Sequence, residues 1–268
     1  MTSAGGGLDL DSLADAAEQA ARAGGEVVLD GFGSARGVRE KSPGDWVSDV
    51  DTTSEEAVRR SLALSHPDIP FFGEEGGGEQ GPVGWYVDPL DGTANFLHGF
   101  PMVGVSVALV VDGRPVVGVI HSPMLGDLYR ATDGGGAFRN GVPLAVSDRD
   151  VGSAICATGF PFRRNDLLDD YLPVLDAALR RFEDLRRAGA ASMDLAYVAS
   201  GTFDGYFELA LGTWDVAAGA VLVREAGGVV TDWSGDPDAW LHSGDIVAAP
   251  PPVHGSLLEL TSGVGSRR

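Results

Sequence analysis

Apolar positions recur at helical spacing at the start of the chain, where Leu8, Leu13, Ala16, Ala17, Ala20, Ala23, Val27 and Val28 fall on one stripe. That spacing predicts a helix over 8–32, capped by Asp9 or Asp11 and ended by Gly31 or Gly33. A polar stretch containing Pro43 and Gly44 follows. Thr52 or Ser54 then opens a second helix toward Ser65, closed by Pro67. Short apolar runs predict strands at 69–72, 85–87, 102–111 and 114–121, with Asp112-Gly113 as a tight hairpin turn. A further pair is expected at 128–132 and 136–139, followed by a turn at Asn140-Gly141.

The second half alternates more evenly. Strands are expected at 154–157, 185–187, 203–208, 228–231 and 246–249, with helices at 166–183, 193–200 and 214–226. Helices alternating with strands throughout indicate a layered α/β architecture. The expected organisation is a tail at 1–7, an N-terminal half at 8–150 and a C-terminal half at 151–268. The two halves form one catalytic unit, with no linker or repeat between them.

The 268 residues suffice for a sizeable core, and 44% of them are hydrophobic. No apolar run approaches the ~20 residues a bilayer span needs, and the N-terminus lacks a signal-peptide pattern. A cytoplasmic location is the resulting expectation. The net charge of −20 opposes nucleic-acid backbones and anionic membrane surfaces. Among 19 basic residues only Lys41 is a lysine, which marks a place where a compact ammonium has a use. The single cysteine, Cys156, lies in a strand-like apolar run and reads as inert core. The five histidines show no paired metal spacing and most read as surface or loop residues; Trp214 reads as core.

Chemistry is concentrated in Trp85-Tyr86-Val87-Asp88-Pro89-Leu90-Asp91-Gly92-Thr93-Ala94-Asn95-Phe96. An apolar strand stops on one carboxylate, turns through proline, and presents a second carboxylate where a helix can open. Carboxylate oxygens and a backbone carbonyl suit a hard cation such as magnesium. The unpaired N–H groups of a helix start suit a phosphate. Two further acidic stretches, Phe71-Phe72-Gly73-Glu74-Glu75-Gly76 and Leu211-Gly212-Thr213-Trp214-Asp215, can converge on it.

Together these three motifs resemble the inositol monophosphatase family of magnesium-dependent, lithium-sensitive phosphatases. The resemblance covers the chain from about Leu8 to its end. It implies alternating layers of paired helices and sheets (αβαβα) and two to three Mg2+ ions per site. Glu74, Asp88 and the Leu90 carbonyl would hold the first ion. Asp88, Asp91 and Asp215 would hold the second, and a weaker third would lean on Glu74. A metal-activated water positioned by Glu74 and Thr93 would attack phosphorus directly, without a covalent phospho-enzyme.

Asp51 matches the family acid that pairs with the motif threonine, although a helix cap is the alternative, and Lys41 matches a lysine near the metals. Asp91, Gly92, Thr93, Arg186, Gly189, Ala191, Glu208 and Asp215 correspond to substrate-binding positions, although an exposed or interface salt bridge is the alternative for Arg186. Ala190 stands where the family usually has serine. Glu74 rather than Glu75 fits the family's metal-binding acid, and one of that adjacent pair is expected to face solvent or a loop. The glycines at 76–78 and 134–136 lack a P-loop's trailing Lys-Ser/Thr and read as mobile loops, the first over the metal site.

Family resemblance makes inositol 1-phosphate the leading substrate. Histidinol phosphate and fructose 1,6-bisphosphate are alternatives, with 3′-phosphoadenosine nucleotides disfavoured by a short insertion. A homodimer and a small-molecule partner are expected. An alternative of another class is a regulatory partner of the transcription machinery, as some bacterial relatives are.

Overall fold

The computed structural model describes residues 7–42, 44–78 and 81–265. The tail expected at 1–7 lies, but for Gly7, outside the described residues. In chain order the first elements are α1 (Leu10–Gly31), β1 (Arg39–Ser42), β2 (Asp45–Val47), α2 (Asp49–Ser65), β3 (Phe71–Gly73), β4 (Gly77–Gly78), β5 (Val83–Asp91) and α3 (Thr93–Leu97). A meander follows, comprising β6 (Gly104–Val111), β7 (Arg114–Ser122), β8 (Asp127–Thr132), β9 (Gly136–Arg139) and β10 (Val142–Pro143). Next come β11 (Ile155–Thr158), α4 (Leu168–Arg181), β12 (Asp184–Arg186), α5 (Ala191–Ala199), β13 (Gly205–Glu208) and α6 (Thr213–Glu225). The chain closes through β14 (Val229–Thr231), α7 (Trp240–Ser243), β15 (Ile246–Ala249) and α8 (Pro251–Gly265).

Strands β3 to β10 form an eight-stranded sheet in the order β10-β9-β8-β7-β6-β5-β3-β4, and β11 to β15 a five-stranded sheet in the order β12-β11-β13-β15-β14. Helices α1 and α2 pack together on one face of the large sheet, and α5 and α6 cover its other face. The pair α5 and α6 also lies against the small sheet, whose far side is covered by α4 and α8. Five alternating layers result, as the sequence implied.

Small residues let the central layers close up. A Cβ on Gly118 of β7 would stand 2.3 Å from the carbonyl oxygen of Ala218 on α6, so helix and strand touch backbone to backbone. Gly118→Ala therefore pushes away the helix whose first turn holds Asp215. It is expected to cost about 3 kcal/mol of stability, read as a lower urea midpoint, and an unchanged midpoint would contradict this packing.

Several boundaries depart from the sequence reading. Helix α2 starts at Asp49, earlier than expected, because Ser48 rather than Thr52 or Ser54 caps it. The Ser48 side chain accepts from the Val50 N–H, and Asp51 returns a bond to the Ser48 N–H. Helix α8 was not anticipated, since Pro250-Pro251-Pro252 reads as a breaker. Prolines are tolerated in a helix's first turn, where their missing N–H groups have no partner to lose. The glycines at 76–78 are no mobile loop: β4 pairs with β3, and the Gly76 N–H is bound by the buried Glu55 carboxylate. Those at 134–136 form a turn and the start of β9, with the Gly134 and Gly136 N–H groups held by Glu225. His254 is buried against Thr231, and His121 is packed beside α1, so these two are not among the surface histidines. Cys156 is buried, and burial raises its thiol pKa.

Candidate active site

The end of β5 and the start of α3 deliver the central motif to a cavity of about 830 Å3. The turn between them is fixed from outside. Ser54 on α2 donates to the Pro89 carbonyl at 2.8 Å, and Asn95 donates to the carbonyls of Met102, Ala188 and Gly189 at 2.8, 2.9 and 3.2 Å. Gly92 caps α3 with φ +89°, and a Cβ there would also meet the Met102 oxygen at 2.9 Å, so only glycine fits without strain.

Carboxylate oxygens of Asp88, Asp91 and Asp215 all lie within 4.8 Å of one another. Each acid keeps one oxygen on an N–H of the protein. Leu90 donates to Asp88 at 2.9 Å, Ser192 to Asp91 at 2.7 Å, and Gly212 to Asp215 at 2.6 Å. The Ser192 hydroxyl adds a second bond to Asp91 at 2.5 Å. These anchors leave the other oxygen of each acid for a shared ligand. Three converging carboxylates with a nearby backbone carbonyl make an all-oxygen donor set, which fits Mg2+ better than a soft metal.

The electrostatics fit as well. Burial pushes the Asp88 pKa well above the carboxylate range, and the charges of Glu74, Asp91 and Asp215 add to it. Asp215 rises for the same reasons, burial first and then Glu74 and Asp91. Burial raises Asp91 to about 6, against the lowering effect of its Ser192 bonds. Such a cluster calls for a cation. It also fixes the sign of a pH effect. These folded-state pKa values lie above those of the unfolded chain, so the folded state holds the extra protons. The Asp91 contribution to metal-free stability is complete below about pH 4 and falls as pH rises through about 6, and those of Asp88 and Asp215 have the same sign. Protons and Mg2+ compete for the same oxygens, so the rise in melting temperature caused by Mg2+ should be larger at pH 8 than at pH 5.5. Thermal scans with and without Mg2+ at both values check this; an equal rise would count against metal binding here.

Glu74 and Lys41 sit at the edge of the cluster. The Lys41 ammonium bonds to Glu74 at 2.9 Å and Glu75 at 2.8 Å. Burial works to lower its pKa, but the bonds and charges of both acids outweigh this and raise it. The expectation that one acid of the pair would face solvent or a loop is thus not met. The turn after β3 is bent by Glu55, which accepts from the Glu75 and Gly76 N–H groups, and both side chains converge on the lysine.

Asp51 makes both the cap contact and the threonine contact. One oxygen closes the α2 cap by accepting from Ser48, and the other accepts from the Thr93 hydroxyl at 2.8 Å. The Thr93 oxygen is also 3.1 Å from the Leu90 carbonyl.

The remaining wall is less uniform. Gly92, Thr93, Gly189, Ala191 and Glu208 line the cavity, as does Trp214, which was expected in the core. Burial raises the Glu208 pKa to about 7, while a bond from the Tyr206 hydroxyl, 2.5 Å away, works to lower it. Arg186 is the correction. It does not line the cavity but is exposed on β12 and paired with Asp184, because alternate strand residues point to opposite sides. Its neighbour Arg187 lines the cavity instead, with Arg163 and Arg164. Ser192 and Asn95 went unrecognised in the sequence.

A family model described as the inositol monophosphatase family matches residues 9–265. The chain is 40% identical over 259 residues to a protein of Neisseria meningitidis serogroup B named putative Nus factor SuhB, covering 94% of this chain and 99% of that one. Among solved structures, the extragenic suppressor protein suhB of Bartonella henselae superposes with TM-score 0.88 at 37% identity, covering 92% of this chain and 97% of that one. An inositol monophosphatase from Anabaena superposes with TM-score 0.86 at 32% identity, over 96% of this chain and 98% of that one.

Proposed function

Since the chain belongs to the inositol monophosphatase family, we propose that it is a Mg2+-dependent phosphomonoesterase acting on a small phosphorylated polyol, foremost inositol 1-phosphate. The observation that carries this reading is the convergence of Asp88, Asp91 and Asp215 on one point in a cavity. With Glu74 and the Leu90 carbonyl, these residues would hold two or three Mg2+ ions. Magnesium bound there would neutralise the acids and supply the positive charge that draws in a phosphate and lowers the pKa of water.

The chain's own residues divide the rest. Thr93 takes a proton from the attacking water as its own hydroxyl proton passes to Asp51, to which it is already bonded. Lys41 steadies Glu74 beside the attacking water. The N–H groups of Gly92 and Thr93, at the start of α3, are available to the phosphate oxygens. Glu208, which lines the cavity, hydrogen-bonds a hydroxyl of the leaving alcohol. Gly189, Ala191 and Asp215 shape the space around that alcohol.

Phosphate release from inositol 1-phosphate, histidinol phosphate and fructose 1,6-bisphosphate, with and without Mg2+, tests the reading. Preference for inositol 1-phosphate supports it, whereas preference for histidinol phosphate transfers the assignment to that alternative. No Mg2+-dependent release from any of the three contradicts it. Inhibition by tens of millimolar lithium, a homodimer and a cytoplasmic location belong to the same proposal.

A second reading has its own support. The Neisseria relative bears the name of a Nus factor, as do several others at 38–41% identity. These names favour a partner of the transcription machinery over inositol phosphate as the reason for the protein. They also leave the expected exclusion of nucleic acid without support. Tagged protein should then retain RNA polymerase from a lysate of its own cells beyond an unrelated acidic control. Equal recovery with that control would remove this reading and leave the phosphatase proposal standing.

A further inference from the structure

Three arginines, Arg163, Arg164 and Arg187, line the same cavity as the carboxylate cluster, in a chain of net charge −20. Two are already matched by acids. Arg163 pairs with Asp45 at 3.1 Å, and Arg164 meets both oxygens of Asp166 at 3.0 and 2.7 Å. Arg187 differs: among the described residues it has no carboxylate within salt-bridge distance. Its guanidinium instead lies over the rings of Phe160 and Phe162, 5.9 and 5.4 Å from their centroids. Those rings meet edge to face at 5.6 Å. An aromatic platform fixes a guanidinium in place without cancelling its charge.

The topology explains how the platform and the cation meet. Strands β11 and β12 are parallel neighbours with Ala157 opposite Arg186, so the segments that leave their ends run side by side. The first carries Phe160 and Phe162, the second Arg187. Both open onto the cavity, and Phe162 stands 61% exposed in its wall. Arg187 is also close enough for its charge to favour the ionised form of Glu208.

A neutral polyol uses Glu208 but brings this guanidinium no anion of its own. A planar fork of N–H donors matches the two oxygens of a carboxylate or phosphate. The cavity of about 830 Å3 has room for more than a single sugar-sized group. Resting on the phosphatase reading, we infer that Arg187 receives an anion at the far end of the leaving alcohol, so that a phosphorylated polyol bearing a second oxyanion there is hydrolysed more efficiently than its neutral-ended counterpart.

The test uses matched six-carbon probes with Mg2+ present: 6-phosphogluconate carries a terminal carboxylate, fructose 1,6-bisphosphate a second phosphate, and sorbitol 6-phosphate a neutral end. Either charged probe should exceed sorbitol 6-phosphate in kcat/KM by about tenfold or more, and the better one identifies the oxyanion. In Arg187→Gln that ratio should fall to within about twofold of one, while Arg187→Lys, which keeps the charge but loses the fork, should retain several-fold. A wild-type ratio near one, or a ratio that Arg187→Gln leaves unchanged, overturns the inference. So does an Arg187→Lys ratio as low as that of the glutamine variant. If none of the probes is hydrolysed, release from inositol 1-phosphate decides the phosphatase reading separately, and calorimetric titration of the same probes into the same proteins reads the Arg187 preference as a ratio of Kd values, where a wild-type ratio near one overturns the inference.

Discussion

Asp91→Asn is expected to lower Mg2+-dependent turnover by on the order of 10³-fold while leaving the fold intact. Asp91 is 8% exposed, and one of its oxygens accepts from the N–H and hydroxyl of Ser192. An asparagine can offer its carbonyl oxygen to the same donors, so the start of α5 keeps its anchor. What it cannot do is supply negative charge to a shared cation. The substitution also removes one acid from a group that burial and mutual repulsion hold above its ordinary pKa. The metal-free variant should therefore melt no lower than the parent at pH 7.5. Turnover that survives with its Mg2+ dependence unchanged would remove Asp91 from the metal site. A large fall in melting temperature would show that its role is in the fold.

Thr93→Ala comes next in expected size, with kcat lowered about 10²- to 10⁴-fold and Thr93→Ser retaining most of the activity. The hydroxyl is the link between the central turn and Asp51, which is 1% exposed. Removing it leaves one Asp51 oxygen buried without that bond, at a cost of about 1–3 kcal/mol. The other oxygen remains on Ser48, so α2 keeps its cap. A purely structural hydroxyl would give the loss of stability without the loss in kcat. Equal kcat for alanine and parent at saturating substrate would exclude Thr93 from proton transfer.

The parts of this site that were legible in the sequence are those written locally. Asp88 to Thr93 is a strand end, a turn and a helix start within six residues, and the periodicity of β5 and the turn chemistry of Pro89 and Gly92 specify it. The hairpin at Asp112-Gly113 was equally plain, since its two residues adopt positive φ and suit no other turn as well. Glu74 and Asp215 also end or begin an element, which is why three separate motifs could be expected to converge.

What escaped depends on distant partners or on one residue of register. Ser192 reaches Asp91 across 101 positions, and Asn95 reaches Ala188 across 93. Neither pairing leaves a trace in local pattern. Arg186 and Arg187 are adjacent and chemically identical, so the pleat of a three-residue strand decides which one meets the cavity. Glu75 was expected to point away from Glu74 on strand alternation, but Glu55 bends that turn from 20 residues upstream. Helix α8 was hidden because proline is read first as a breaker and only second as a helix opener.

The account depends on Asp88, which is 2% exposed and belongs to both proposed ion sites. The most direct measurement is a Mg2+ titration of phosphate release from inositol 1-phosphate, run in parallel on the parent and on Asp88→Asn. Activity that is absent without Mg2+, saturates at millimolar Mg2+ in the parent, and is lost at every Mg2+ concentration in the variant is the predicted result. Release that proceeds without the metal, or that the variant sustains at the parent's rate and Mg2+ dependence, would contradict the assignment of this cluster as a magnesium-dependent phosphatase centre.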